Sequence, residues 1–377
     1  MIYVVKPGDT VDRIAQEYNV AAASIAYNNQ IPYPYRLAVG QSLFLPGEKG
    51  ETAAAVNGYA YPFIREWVLR QTLPYLTELS VFSYGFTAEG TLIAPALDDQ
   101  WMINTAYEYG VKPILTLTPF GLDGQFNNYL ISAVVNNEAA GNRLISQLQE
   151  VLYEKGFAGV DVDFEFVLAS DRDAFTAFVE KLAKALHVDG YQVSVALAPK
   201  TSADQPGLLY AGKDYRGLGA AADHVLLMTY EWGYKYGPPM AIAPIDKVRE
   251  VVDYAITEIP PSKIDLGIPN YGYDWPLPYS QGKTRARTIG NVEAVQLAIR
   301  YGAVIQFDQT AQSPYFRYTA RDGIMHEVWF EDVRSLQAKF ALVKEYGLRG
   351  MGYWQIMQFF RANWLLLESM FRTIRDL

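Results

Sequence analysis

From residue 56 onward the chain alternates short apolar runs with amphipathic stretches, and it makes eight such runs. NGYAYP, ELSVFSYGF, VKPILTLTP, FAGVDVDFEF, YQVSVALAP, HVLLMTYEW, KIDLGIPNYGY and LRGMGYW have the length and the β-branched or aromatic content of strands. Between them AGNRLISQLQEVLYEKG, DRDAFTAFVEKLAKALHVDG and APIDKVREVVDYAITEI repeat their apolar residues at helical spacing. Eight strands with intervening helices predict an α/β fold of the (β/α)8 TIM-barrel type, which binds substrate at the C-terminal ends of its strands. A doubly wound open sheet is the competitor, but no phosphate-cradling glycine loop follows any of the strands. One connection is too long for a plain barrel. It predicts a small α+β insertion over about 274–330, in which YFRYTARDGIMHEVWF forms a hairpin with an Asp-Gly turn.

The fourth run carries the chemistry. In GVDVDFEFV, residues 159–167, side chains alternate faces, so Asp161, Asp163 and Glu165 share one side at about 6.6 Å intervals. Val160, Val162, Phe164 and Phe166 take the other. Burying three like charges together is costly unless they share protons or meet partners. Such crowding raises carboxyl pKa values, which is what a proton donor needs. The structural alternative is a strand whose carboxylates cap loops or pair with lysine and arginine.

Composition excludes several classes. The net charge of −9 argues against nucleic acid and against docking on anionic lipid. No window approaches the roughly 18 apolar residues of a membrane-spanning helix, so no membrane insertion is expected. Lys6, Asp9, Asp12 and Arg13 stand where a signal peptide would need an apolar core, so none is expected. Cysteine is absent, and His187, His224 and His326 are scattered, so neither a thiolate nor a multi-histidine metal site is expected, and no cofactor. Aromatic residues reach 14%, which suits stacking on sugar rings or, equally, an aromatic core.

Residues 1–47 read as a separate unit. IYVVKPGDT is a strand and turn; VDRIAQEY places Val11, Ile14, Ala15 and Tyr18 on one helical face; NVAAASIAYNN gives a second helix ending at Asn28-Asn29; LAVGQSLFLP returns as a strand. This βααβ pattern, with V-x-x-G-D-T and V-G-Q-x-L-x-L-P, resembles the LysM module. The resemblance implies binding of N-acetylglucosamine-containing glycans between the loop at Gly8, Asp9 and Thr10 and the loop after Asn28, around Ile31. The polar, small-residue stretch 48–56 reads as a linker to a catalytic domain spanning 57–377.

The fourth strand resembles that of the family 18 glycoside hydrolases, D-x-x-D-x-D-x-E, with Ala158 in place of the first acid. The resemblance implies that Glu165 is the acid and then the base. It implies that Asp163 orients the substrate acetamido group and shares a proton with Asp161. LLMTYEW, 226–232, resembles the family's sixth strand, implying that Tyr230 bonds the acetamido carbonyl while Met228 and Glu231 line the sugar site. GMGYWQI, 350–356, resembles the eighth, implying Trp354 as the floor under the sugar. Tyr84, Tyr271 and Tyr273, at strand ends, are further substrate-binding candidates. ILTLTPF lacks the family's third-strand S-x-G-G. The whole chain resembles the spore cortex-lytic N-acetylglucosaminidases of spore-forming bacteria, implying action on peptidoglycan at the spore coat or cortex during germination, or at the cell wall. A chitooligosaccharide hydrolase and a catalytically silent chitinase-like glycan-binding coat protein are the rivals; retention of Glu165 counts against the second.

Overall fold

The computed structural model of the chain describes residues 1–375, and counts of elements and contacts refer to those residues. At the N-terminus, Ile2–Val4 and Ser42–Phe44 pair antiparallel, with Ile2 opposite Phe44. Helices Val11–Tyr18 and Ala22–Asn28 lie between them. Thr10 starts the first helix by accepting from the Arg13 amide, which satisfies one of the free donors of a helix N-terminus. Ile14, Ile25, Leu43 and Leu45 form a completely buried apolar centre.

Eight parallel strands then close on themselves: Thr52–Ala60, Glu78–Phe86, Lys112–Leu117, Gly159–Val162, Gln192–Leu197, His224–Leu227, Ile264–Pro269 and Gly350–Trp354. The first pairs with both the second and the eighth, so no barrel strand is left as an edge. The eight strands are the eight apolar runs of the sequence. The first, however, begins at Thr52, inside the stretch expected to be linker, and Ala54, Ala55 and Val56 are fully buried. Small residues serve close strand approach here: a Cβ on Gly350 would lie 1.8 Å from the Ala55 carbonyl oxygen. What reads as linker composition is barrel wall.

Inward-facing residues decide what the barrel can do. At its N-terminal end Arg349 donates to Glu78 and to Asp265, each at 2.6 Å, and His224 Nδ1 lies 3.0 Å from Asp265. Burial alone would raise the Glu78 carboxyl, but His224 and Arg349 beside it hold it down at about 2. Ion pairing therefore plugs the floor, and the interior opens toward the C-terminal end.

The insertion is an antiparallel sheet of five strands, with helix Asn291–Tyr301 packed on it. Ser313–Thr319 and Met325–Trp329 form the expected hairpin, with Asp322 and Gly323 at its turn. The sheet begins at Gly272, because the seventh barrel strand stops at Pro269 instead of running on to Tyr273. Asn270 makes the corner, its side-chain amide donating to the Gln355 and Gln358 carbonyls.

The N-terminal unit is packed onto the barrel. Phe44 is 4% exposed and joins the main core, and Ala38 joins the core of the insertion. Gln30 is bonded to the Phe359 carbonyl and the Arg361 amide, and the Arg361 guanidinium lies 3.9 Å from the Tyr27 ring centroid. Burial shared this way couples the two units. We expect one cooperative thermal transition for the whole chain, and Phe44→Ala should lower stability by about 3–5 kcal/mol. Two resolved calorimetric transitions, with only the smaller moved by the substitution, would show the units to be independent.

Candidate active site

Asp161 is the deepest of the three carboxylates. It lies in register with Ser194 on the fifth strand and is 1% exposed. Its two oxygens accept from Tyr59 Oη and Ser194 Oγ, both at 2.7 Å. Burial raises its pKa, and these two hydrogen bonds and the nearby His224 oppose the rise.

Asp163 lies beyond the last paired residue of the fourth strand, yet its amide still donates to the Leu117 carbonyl at 2.9 Å, so the alternation continues. It is 5% exposed, and among the described residues its Oδ1 has no hydrogen-bond partner. Burial first, then the charges of Glu165 and Asp161, hold this carboxyl well above the usual range. Glu165 is half-buried at the mouth. Burial raises its pKa as well, with Lys213 opposing and Glu231 adding. Phe164, between them, points outward and packs on Phe86 and Phe175 with ring centroids 5.4 and 5.5 Å away. Packing on the outer face thus fixes where the carboxylates point inward.

Tyr230, Met228, Tyr273 and Trp354 line the same cleft as Asp163 and Glu165, a space of about 860 Å³. Burial and the carboxylates push the Tyr230 phenol well above its ordinary pKa, so it remains a donor. Trp354 stands among Phe82, Tyr59 and Tyr61, at centroid distances of 4.9, 5.7 and 6.1 Å. Glu231 sits at the rim with φ of 69°, a left-handed conformation that costs a non-glycine residue on the order of 1 kcal/mol. That turn directs its carboxylate to the hydroxyls of Tyr271 and Tyr273, the latter at 2.8 Å.

Tyr84 is a correction. It is 1% exposed, donates to Asp99 at 2.6 Å and packs edge-on against Phe157, outside the barrel wall and away from the cleft. Tyr271 is a partial one: it supports Glu231 from behind and does not line the cleft. At the N-terminal unit, Gly8 makes an exposed turn at φ of 83°. Asp9 accepts from the Tyr3 hydroxyl at 2.6 Å and the Lys6 amide at 2.7 Å, Thr10 caps its helix, and Ile31 belongs to the unit's own core. Asn28 is half-buried at the end of the second helix. Asp9, Thr10 and Ile31 thus have evident local structural work.

Sequence reasoning missed Tyr59, Tyr61, Phe82, Phe120, Phe126 and Lys213. Tyr59 and Tyr61 alternate along the first strand, and that period could have found them. Lys213, fully buried in a loop of Gly-Lys-Asp sequence, gave no such signal. Among the described residues no cluster of His, Asp, Glu or Cys could hold a metal ion, and no helix is long and apolar enough to cross a membrane.

A closed barrel that delivers crowded carboxyls with raised pKa values into an aromatic cleft at its C-terminal mouth has the equipment of a carbohydrate hydrolase. The pattern of Glycosyl hydrolases family 18 matches residues 121–358, and that of the LysM domain matches residues 3–46. The chain belongs to glycosyl hydrolase family 18 and is a glycoside hydrolase. It is 41% identical to the cortical fragment-lytic enzyme of Bacillus subtilis (strain 168), over 99% of each chain. The crystal structure of the Bacillus megaterium QM B1551 spore cortex-lytic enzyme SleL matches with a TM-score of 0.83 at 37% identity, covering 100% of this chain and 87% of that one. A chitinase from Chromobacterium violaceum ATCC 12472 matches with a TM-score of 0.76 at 27% identity, covering 84% and 98%.

The three carboxyls have a consequence for stability. Each is held above its ordinary pKa, so the folded chain binds protons more tightly there than the unfolded chain does. Their contribution is fully present below the ordinary carboxyl values, about pH 4, and is lost as pH rises through the raised ones. Asp163→Asn, which removes the charge and little volume, should therefore stabilise the fold near neutral pH by about 0.5–2 kcal/mol. The gain should shrink toward pH 4. Thermal denaturation of both proteins across that range checks it; a variant less stable than the parent at pH 7 would contradict the like-charge account.

Proposed function

We propose that this chain is a retaining, substrate-assisted β-N-acetylglucosaminidase that cleaves spore cortex peptidoglycan on the reducing side of N-acetylglucosamine during germination. Family 18 enzymes depart from the usual two-carboxylate scheme in that the substrate supplies the nucleophile. In this reading the acetamido oxygen of the −1 sugar attacks the anomeric carbon while Glu165 gives its proton to the departing glycosidic oxygen. Asp163 takes the acetamido N–H and offsets the oxazolinium charge, and Asp161, anchored by Tyr59 and Ser194, shares the proton behind it. Tyr230 donates to the acetamido carbonyl, and Trp354 lies under the ring. Glu165 then draws a proton from the water that opens the oxazolinium, which restores the β configuration.

One observation carries the reading. Asp163 lines the cleft, and its buried carboxylate accepts no hydrogen bond from the described residues. A buried acceptor left open costs stability, and an amide N–H from a bound sugar would fill it. The names of the two spore relatives support cortex as the substrate, and an N-terminal LysM unit over residues 1–47 supports binding to N-acetylglucosamine-containing glycan. The expected location is accordingly the spore coat or cortex surface, with the cell wall as the alternative.

Glu165→Gln should lower hydrolysis of cortex fragments by about 10²–10⁴-fold or more while sugar binding persists. Wild-type products should carry reducing N-acetylglucosamine ends, released in the β configuration. Products ending in reducing muramic acid or its lactam, or an α-configured first product by NMR, would refute the mechanism.

A further inference from the structure

The fourth strand ends at Val162, and beyond it the backbone carbonyls of Phe164 and Glu165 lose their neighbours in the sheet. Both are claimed by one side chain. Lys213 Nζ donates to the Glu165 carbonyl at 3.0 Å and to the Phe164 carbonyl. Lys213 is 0% exposed, as is Lys200, whose own ammonium donates to the Lys213 carbonyl at 2.8 Å and to the Ala203 carbonyl at 2.9 Å. The loop carrying Lys213 presses directly on the chain just after the acid: a Cβ on Gly212 would fall 2.1 Å from the Val167 carbonyl oxygen.

Capping two carbonyls does not require a charge. A neutral donor would serve, and a buried ammonium is costly unless its charge is used. Among the described residues no carboxylate comes within 4.0 Å of Lys213, so this is not an ion pair of the ordinary kind. The charges that face it are Asp163 and Glu165 from the fourth strand and Lys200 from its own loop. Asp161 lies behind Asp163, and Glu231 faces Glu165 from the sixth strand.

We propose that Lys213 is the positioning residue of the acid: its buried ammonium clamps the backbone that carries Glu165 and sets the pH range over which that carboxyl holds its proton. The inference rests on Glu165 being the acid. Burial brings the Lys213 ammonium down to about 8, with Asp163 and Glu165 opposing the fall and Lys200 adding to it. In return, Lys213 is the cation that opposes the rise of both carboxyls. A cation behind the acid eases departure of the proton and stabilises the carboxylate that must then act as base. Without it Glu165 would hold its proton to higher pH and give it up less readily.

The test is kcat and kcat/KM against pH on a soluble β-1,4-linked N-acetylglucosamine oligomer with a chromogenic leaving group, for the parent and for Lys213→Arg, Lys213→Gln and Lys213→Met. Gln keeps a donor and loses the charge; Met loses both. Both neutral variants should move the alkaline limb of kcat/KM upward by about one pH unit, and Met should lower kcat at its optimum by roughly 10–100-fold. Arg should keep the limb near its place. A folded Gln or Met variant with the parent's limb would overturn the proposal, even if its melting temperature fell, because that result fits a purely structural cap. If neither neutral variant folds, NMR of the parent decides: a Lys213 side chain still charged as an ammonium across the pH range of activity supports the proposal, and one already neutral where the enzyme is active overturns it. Glu165→Gln separates the two levels. If that variant stays active the reading of the acid fails; if it is inactive while the neutral Lys213 variants keep the parent's profile, only this inference fails.

Discussion

Three carboxyl groups stacked on the inner face of one strand are the constraint around which this protein is built. Water cannot dilute their repulsion inside a barrel, so each must be protonated, hydrogen-bonded or opposed by a cation. All three solutions are present. Asp161 is bonded on both oxygens by Tyr59 and Ser194. Asp163 and Glu165 are held above their ordinary pKa values. Lys213 stands behind the last two, and the His224, Arg349, Glu78 and Asp265 network closes the floor beneath the first. The polar interior and the fully apolar outer layer are two sides of the same strands. Phe164 can hold its neighbours in place only because it packs into the surrounding helices.

The same economy links the cleft to the N-terminal unit. Trp354 lies at the end of the eighth strand, and the chain continues within a few residues to Phe359 and Arg361. Those two grip Gln30 and Tyr27 of the N-terminal unit. The segment that forms one wall of the cleft is therefore also the mounting of the small module. A glycan-binding unit fixed in this way has a set orientation toward the cleft, and orientation held in advance lowers the entropy cost of engaging one strand at two places.

Much of this was legible in the sequence because two periods carry it. Alternation by two located the eight strands and put Asp161, Asp163 and Glu165 on one face. Alternation by helical spacing located the helices around them. Where the period breaks, reading failed. Tyr84 shares parity with Glu78, Ser80 and Phe82, but the pairing register shifts between Val81 and Tyr84 and turns the tyrosine outward. KIDLGIPNYGY looks continuous, yet Asn270 divides it into a barrel strand and the first strand of the insertion. The stretch around Ala53, Ala54 and Ala55 resembles a linker because small residues suit both flexible chain and closely approaching strands. Lys213 had no period to reveal it, since its partners are backbone carbonyls nearly fifty residues away.

The two ends of the carboxylate row differ in a way that composition cannot express. Asp161 is saturated by hydroxyls that belong to the protein, so its place is fixed whether or not anything is bound. Among the described residues Asp163 accepts no hydrogen bond on its carboxylate, and Glu165 is half-open to solvent. Going outward along the strand, protein partners give way to unfilled positions, and the raised pKa values persist. Rigid, satisfied groups at depth and open groups with raised pKa values at the mouth are what preorganisation requires: the reorganisation energy is spent in folding, so binding need only fill what was left open. The row is thus costly to the fold for the same reason that it is useful. An oxygen already satisfied by the protein could not distinguish a sugar with an acetamido group from one without.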